Sequence, residues 1–113
     1  MNGKIYRIFK TEEFDEQYEK LDGQDKKRVD KILAQLYEKG GAIGKPLAGL
    51  GFFKEKKFGG KRLYYLVYEN FLAILTIAIS NKKAQQATIN KIIFEIADYQ
   101  SYIIETLKKN GII

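Results

Sequence analysis

The order of apolar and polar positions in the first part of the chain predicts a strand followed by a helix. Residues 4–10 are rich in β-prone side chains, as in a short strand. Thr11 follows with a hydroxyl suited to capping a helix N-terminus. Phe14, Tyr18 and Leu21 then recur at spacings of four and three, so the pattern predicts a first helix with one apolar stripe.

A second helix is predicted between residues 24 and 39. Its apolar positions recur at spacings of three and four, and they are Val29, Ile32, Leu33, Leu36 and Tyr37. Asp22-Gly23 separates it from the first helix, and Gly40-Gly41 ends it. Two helices with so short a break predict an αα-hairpin whose apolar faces lie on something flat.

An antiparallel meander of three strands is predicted after a glycine-rich connection at residues 40–51. The three predicted strands are residues 52–58, 62–69 and 71–80. Turns at Gly59-Gly60 and Glu69-Asn70 join them. In the middle strand, Leu63, Tyr65 and Val67 lie on one face and alternate with residues on the other face, which are Arg62, Tyr64, Leu66 and Tyr68. The last stretch is apolar almost throughout, which indicates a strand covered on both faces and placed centrally in the sheet.

The rest of the chain, residues 84–109, predicts a long amphipathic helix. About 25 residues would run ~38 Å, which is longer than a small sheet can cover. We therefore expect a break near Asp98-Tyr99 or an overhang, which would leave Ile103, Ile104 and Leu107 for contact with a second copy of the chain. The fold class predicted is α+β, a single domain over residues 1–113.

The amino-acid composition limits the kinds of site that the chain can contain. The 113 residues contain neither cysteine nor histidine, so disulfides, thiolate metal sites and a histidine base are excluded, and we expect no metal and no cofactor. The N-terminus lacks the apolar run of a signal peptide, and residues 71–79 are about half as long as the ~20 residues of a membrane-spanning helix, so we expect a soluble, cytoplasmic protein.

Twenty Lys and Arg against fourteen Asp and Glu give a net charge of +6, which favours a polyanionic partner.

The cations concentrate around the Gly59-Gly60 turn. They are Lys54, Lys56 and Lys57 before it and Lys61 and Arg62 after it. A two-residue turn would pair Lys57 with Arg62, whereas a three-residue loop with a glycine bulge would group Lys54, Lys56 and Arg62 on one face. Clustered like charges are unfavourable by roughly 0.2–1 kcal/mol a pair, so such a face is expected to meet phosphate unless it is only a solvated or edge-protecting surface.

Two further features could belong to the same site. Lys82 and Lys83 end the last strand and open the final helix, whose N-terminus favours anions. Tyr64, in the middle strand, could stack on a base, although tyrosines in such strands more often pack against helices.

The order of elements and several local strings together resemble the RelE/ParE superfamily of toxins. The strings are Leu36-Tyr37-Glu38-Lys39-Gly40, Gly44-Lys45-Pro46-Leu47, Gly51-Phe52-Phe53-Lys54-Glu55-Lys56 and Gly60-Lys61-Arg62-Leu63-Tyr64-Tyr65. Lys82-Lys83-Ala84-Gln85-Gln86 is similar to a segment of HigB-like and phage-derived relatives, which places the chain nearest that branch. The resemblance covers nearly the whole chain.

The resemblance implies a type II toxin that occupies the ribosomal A site, cleaves mRNA as a metal-independent endoribonuclease, and is neutralised by a cognate antitoxin. Carried over by position, the catalytic residues would be Lys54, Lys56, Arg62 and Lys83, and the RNA-binding residues Lys57, Lys61, Lys82 and Tyr64.

The chain departs from the family pattern at two points. Ile89 stands where RelE-like toxins often have a tyrosine, and the histidines of several HigB-like relatives have no counterpart. A ParE-like inhibitor of gyrase and a catalytically decayed binding module therefore remain alternatives to the nuclease.

Overall fold

The computed structural model describes residues 5–113, which form a five-stranded mixed sheet with two helices on each face. In chain order the elements are β1 (Arg7–Lys10), α1 (Glu12–Glu19), α2 (Gly23–Lys39), β2 (Lys45–Leu47), β3 (Leu50–Phe58), β4 (Lys61–Tyr68), β5 (Ala73–Asn81), α3 (Gln85–Phe94) and α4 (Ile96–Lys109). The strand order across the sheet is β1-β5-β4-β3-β2. This confirms the α+β class; Lys4, at the start of the predicted first strand, lies outside the described residues.

The predicted meander is confirmed. Strands β3, β4 and β5 pair antiparallel in sequence order, and β1 joins the far side of β5 in parallel. Strand β5 is interior, and six of its nine residues are hydrophobic or alanine, as a strand buried on both faces requires. The glycine-rich connection contains the short strand β2, in which Lys45 pairs with Glu55 and Pro46 with Lys54.

Helices α1 and α2 cover one face of the sheet. The Thr11 hydroxyl accepts the backbone N–H of Phe14 at 3.0 Å, and the Asp22 carboxylate accepts that of Asp25 at 2.7 Å, so both helices begin at side-chain caps. The buried side chains of this face come from both helices and from alternate strand positions: Phe14, Val29, Ile32, Leu36, Leu63, Tyr65, Val67 and Ile74. Each large apolar side chain contributes roughly 1.5–3 kcal/mol on burial, so this face holds the helical hairpin in place.

Helices α3 and α4 cover the other face, and the predicted long helix breaks at Glu95. The break lies three residues before Asp98 and lets both helices turn their apolar stripes toward the same sheet. Ile103 and Leu107 are fully buried against that sheet, and Ile104 packs partly buried beside them. The prediction that these residues contact a second copy is therefore wrong, because they belong to the chain's own core. Within residues 5–113, no helix is both long and apolar enough to cross a membrane.

Candidate functional site

The turn between β3 and β4 fixes which cations meet. Gly59 and Gly60 have φ angles of 48° and 80°, and this two-residue turn pairs Phe58 with Lys61 and Lys57 with Arg62. Two consecutive positive φ angles are typical of a type I′ hairpin turn, which glycine adopts without strain. Of the two registers left open by the sequence, the structure has the one that places Lys57 beside Arg62.

The register separates residues that the resemblance had grouped. Side chains alternate along β3, so Lys54 and Lys56 lie on the α2 side of the sheet, whereas Lys57 and Arg62 lie on the α3 side. The Lys54 ammonium donates to the carbonyl oxygen of Gly41 at 2.5 Å, which holds it toward the start of β2. The alternative register, with a three-residue loop that would group Lys54, Lys56 and Arg62 on one face, is therefore not the one adopted.

Lys61 also lies on the α2 side. Its ammonium donates to Asp25 Oδ2 at 2.9 Å, and Arg28 donates to Asp25 Oδ1 at 2.8 Å. The hydrogen bond from Lys61, followed by that from Arg28, lowers the pKa of the Asp25 carboxyl below its ordinary value. This carboxylate holds the N-terminal turn of α2 against the hairpin, and it partly neutralises Lys61.

On the α3 side, polar groups form two adjacent rows across the strands. Lys57, Arg62 and Ser80 form the row next to the turn, and Lys45, Glu55 and Tyr64 form the row behind it. We call these six residues the Arg62 cluster. Directly opposed side chains in such a sheet have Cβ atoms about 4.5–5.5 Å apart, so the two cations of the first row can bind one phosphate group.

Arg62 is buried beside a carboxylate. Only 7% of Arg62 and 2% of Glu55 is exposed, and Arg62 Nε lies 3.6 Å from Glu55 Oε1. Gln85, at the first turn of α3, donates to the same Glu55 oxygen at 3.1 Å. Glu55 Oε2 and Arg62 Nε have no hydrogen-bond partner within the described residues. Glu55 thus balances the charge of Arg62 without saturating its donors, and the guanidinium keeps capacity for an external anion.

Tyr64 is enclosed behind this pair. None of its surface is exposed, its hydroxyl is 2.8 Å from Ser80 Oγ, and burial, more than any other cause, raises its pKa. A ring without an exposed face cannot stack on a base, so the expectation that Tyr64 binds RNA directly does not fit the structure. Its role is to support the sheet under Arg62.

The two lysines after β5 lie next to the first row. Lys61 pairs with Asn81 across the strands, and exposed Lys82 and Lys83 follow Asn81 at once. The Asn81 side chain accepts the backbone N–H of Ala84 at 2.9 Å and so shapes the loop that carries both cations. They therefore stand at the same end of the sheet as Lys57. Ile89, four residues into α3, is buried in the core.

An open depression of about 410 Å³ borders the cluster. It is lined by Gly44, Lys45, Glu55, Lys56 and Lys57. No pattern in the sequence singles out Lys45 as a site residue, and the only signal for Glu55 is its position as a lone acid within a run of lysines. Among residues 5–113, no group of acidic side chains is arranged to hold a metal ion.

The geometry supports anion binding by side chains. Arg62 forms an ion pair with Glu55, Lys57 is exposed beside it, and Lys82 and Lys83 add exposed charge at the same end of the sheet. Such an arrangement can stabilise a phosphate group whose negative charge increases during a reaction.

Comparison with solved structures identifies the fold. A mutant of E. coli RelE in the free state aligns over 74% of this chain and 90% of its own, with 20% identity and a TM-score of 0.65. A chain of the RelBE2 toxin-antitoxin complex from Mycobacterium tuberculosis aligns over 70% of this chain and 100% of its own, with 17% identity and a TM-score of 0.60. A chain of the RelB-RelE complex from Methanococcus jannaschii aligns over 71% of this chain and 96% of its own, with 13% identity and a TM-score of 0.58. No protein-family model and no curated protein sequence matches the chain. The assignment to the HigB-like branch stays a prediction, and the chain has the fold of the RelE toxins.

Proposed function

We propose that this protein is the toxin of a type II toxin-antitoxin pair and that it inhibits translation by cleaving mRNA on the ribosome. The observation that carries the proposal is the buried Arg62 guanidinium, held by Glu55 and flanked by exposed Lys57, at one end of a RelE-like sheet. A buried, incompletely hydrogen-bonded arginine beside a solvent-facing lysine suits a phosphodiester better than it suits a neutral ligand.

The proposed reaction is an internal transesterification. The ribose 2′-oxygen attacks the adjacent phosphorus, a bond to the 5′-oxygen breaks, and the products are a 2′,3′-cyclic phosphate and a 5′-hydroxyl. The 2′-hydroxyl proton passes to solvent water during the attack, and water delivers a proton to the departing 5′-oxygen. Arg62 and Lys57 stabilise the charge that builds on the phosphoryl oxygens, and Lys82 and Lys83 hold neighbouring phosphates.

An antitoxin partner is part of the proposal. The two complexes named above, RelBE2 and RelB-RelE, are each described as a toxin with its antitoxin. A cationic cluster at an open end of the sheet also offers an acidic polypeptide a complementary surface. We therefore propose that a cognate antitoxin binds this chain and keeps RNA from Arg62.

The test compares single neutral substitutions on the two faces of β3. Expression of the wild type should arrest growth and produce new mRNA 5′ ends phased with the reading frame. Lys57→Gln should lower cleavage on purified ribosomes by about 100-fold, because it removes one charge from the phosphate site. Lys54→Gln removes the same charge from the opposite face and should stay within about twofold of the wild type.

The outcomes separate the alternatives. Growth arrest with intact mRNA would contradict the nuclease and favour a gyrase inhibitor, which a DNA supercoiling assay would reveal. Normal growth with intact mRNA, from a folded protein free of antitoxin, would favour a binding module. A larger effect of K54Q than of K57Q would refute the assignment of the site to the α3 side.

A further inference from the structure

A second basic depression lies on the opposite side of β3 from the Arg62 cluster. It has a volume of about 340 Å³ and is lined by Arg28, Lys31, Ile32, Gln35, Lys56, Lys57, Phe58 and Gly59. We call it the α2 groove. Four of its eight lining residues are cations and none is an acid. Only Arg28 among them is engaged with a carboxylate, that of Asp25, so Lys31 and Lys56 are available to an outside anion within the described residues.

The two basic depressions meet at a free strand edge. Strand β2 begins at Lys45, opposite Glu55, so residues 56–58 of β3 have no strand on their outer side. Because Phe58 and Lys61 close the hairpin turn, the alternation of the ladder directs the backbone N–H and C=O of Lys57 outward. Lys56 and Lys57 line both depressions, and their side chains leave the edge on opposite faces.

One depression at a distance from the hairpin has the opposite charge. A depression of about 380 Å³ between the start of α1 and α4 is lined by Thr11, Glu12, Glu13, Asp98, Tyr99 and Tyr102, which include three acids and no cation. The net charge of +6 is therefore unevenly distributed, and a polyanion is directed to the hairpin end of the sheet.

We propose that the α2 groove binds the phosphate backbone of a single RNA strand, which passes over the free edge of β3 at Lys57 and enters the Arg62 cluster. This inference rests on the proposed function and names the path of its substrate. A single strand can turn around a strand edge and place successive phosphates beside Lys31, Lys56 and Lys57. A duplex displays its phosphates on a stiff convex surface and cannot occupy depressions on both sides of one strand.

The test measures how salt weakens binding of a labelled single-stranded RNA of about 12 nucleotides to the purified full chain. Lys31→Gln with Lys56→Gln removes two charges from the α2 groove. Lys108→Gln with Lys109→Gln removes two exposed charges from the last turn of α4 and serves as the matched control. Ribosome-dependent cleavage is measured on the same three proteins, and circular dichroism verifies their folding.

Each phosphate contact to a single strand contributes about 0.7 to the slope of log affinity against log salt concentration. The K31Q/K56Q protein should therefore show a slope smaller by about 1.4 and an affinity about 25-fold lower at ~0.1 M salt. The K108Q/K109Q protein should keep the wild-type slope.

Equal slopes for the two double variants would overturn the inference, because the RNA would then respond to net charge and not to the groove. If the wild type cleaves mRNA while K31Q/K56Q binds RNA as the wild type does, the path is wrong and the proposed function stands. A wild type that neither binds RNA nor cleaves it refutes both.

Discussion

The buried pair of Glu55 and Arg62 predicts a large and asymmetric response to mutation. Glu55→Ala leaves the guanidinium of Arg62, 7% exposed, without its counter-charge, and should lower the free energy of unfolding by about 3–5 kcal/mol. For a domain of this size, the melting temperature should fall by roughly 12–20 °C, at about 4 °C per kcal/mol. Arg62→Ala should cost a similar amount, because it leaves the Glu55 carboxylate buried and unpaired.

The double variant E55M/R62M decides whether charge is the cause. It replaces both groups by uncharged side chains of similar length, and its stability should lie within about 1 kcal/mol of the wild type or above it. Urea unfolding followed by circular dichroism gives all three values, with the exposed Glu16→Ala as a control that should change stability by less than about 0.5 kcal/mol. An unpaired buried charge is not the cause if E55A is as stable as E16A, or if E55M/R62M loses as much stability as the two single variants together.

Two further substitutions test contacts around the helical hairpin. The pKa of Asp25 is lowered chiefly by its hydrogen bond from Lys61, so its contribution to stability is fully present above its ordinary pKa of 3.8 and is lost as pH falls below that value. Asp25→Asn should therefore have a lower free energy of unfolding than the wild type at pH 7. Urea titrations at decreasing pH should show this difference shrinking below pH 3.8. A difference in free energy that does not depend on pH would contradict the ion pairs. Gly40→Ala should lower the free energy of unfolding by about 2–5 kcal/mol, because φ of residue 40 is +52° and the added Cβ would overlap the Tyr6 ring. A thermal melt measures this loss. Gly23→Ala, where a Cβ meets open space, should cost nothing and is the control.

Local chemistry was enough to predict most of the fold. The cap at Thr11, the two apolar stripes of the helical hairpin and the apolar run that became β5 are short-range signals, and each is found where expected. The break at Glu95 was misplaced because no glycine or proline marks it. It depends on how far the sheet extends beneath α3, which no local pattern records.

The site was harder to predict because it depends on register. A difference of one residue in the hairpin loop decides which lysines share a face with Arg62, and the string of lysines is compatible with both choices. Glu55 was overlooked for a related reason. Its importance comes from burial against Arg62 and from the reach of Gln85, and these contacts join three separate segments of the chain.

The free edge of β3 has a consequence for solubility. A strand with unpaired N–H and C=O groups can pair with the same strand of another molecule, and charge on the edge is a common protection against such pairing. Lys56 and Lys57 occupy this edge, so we expect the cations proposed to hold RNA also to hinder two copies of the chain from joining their sheets. Nucleic acid or an antitoxin that neutralises these lysines must itself cover the edge. A variant in which Lys56 and Lys57 are both replaced by uncharged residues is expected to aggregate first through β3.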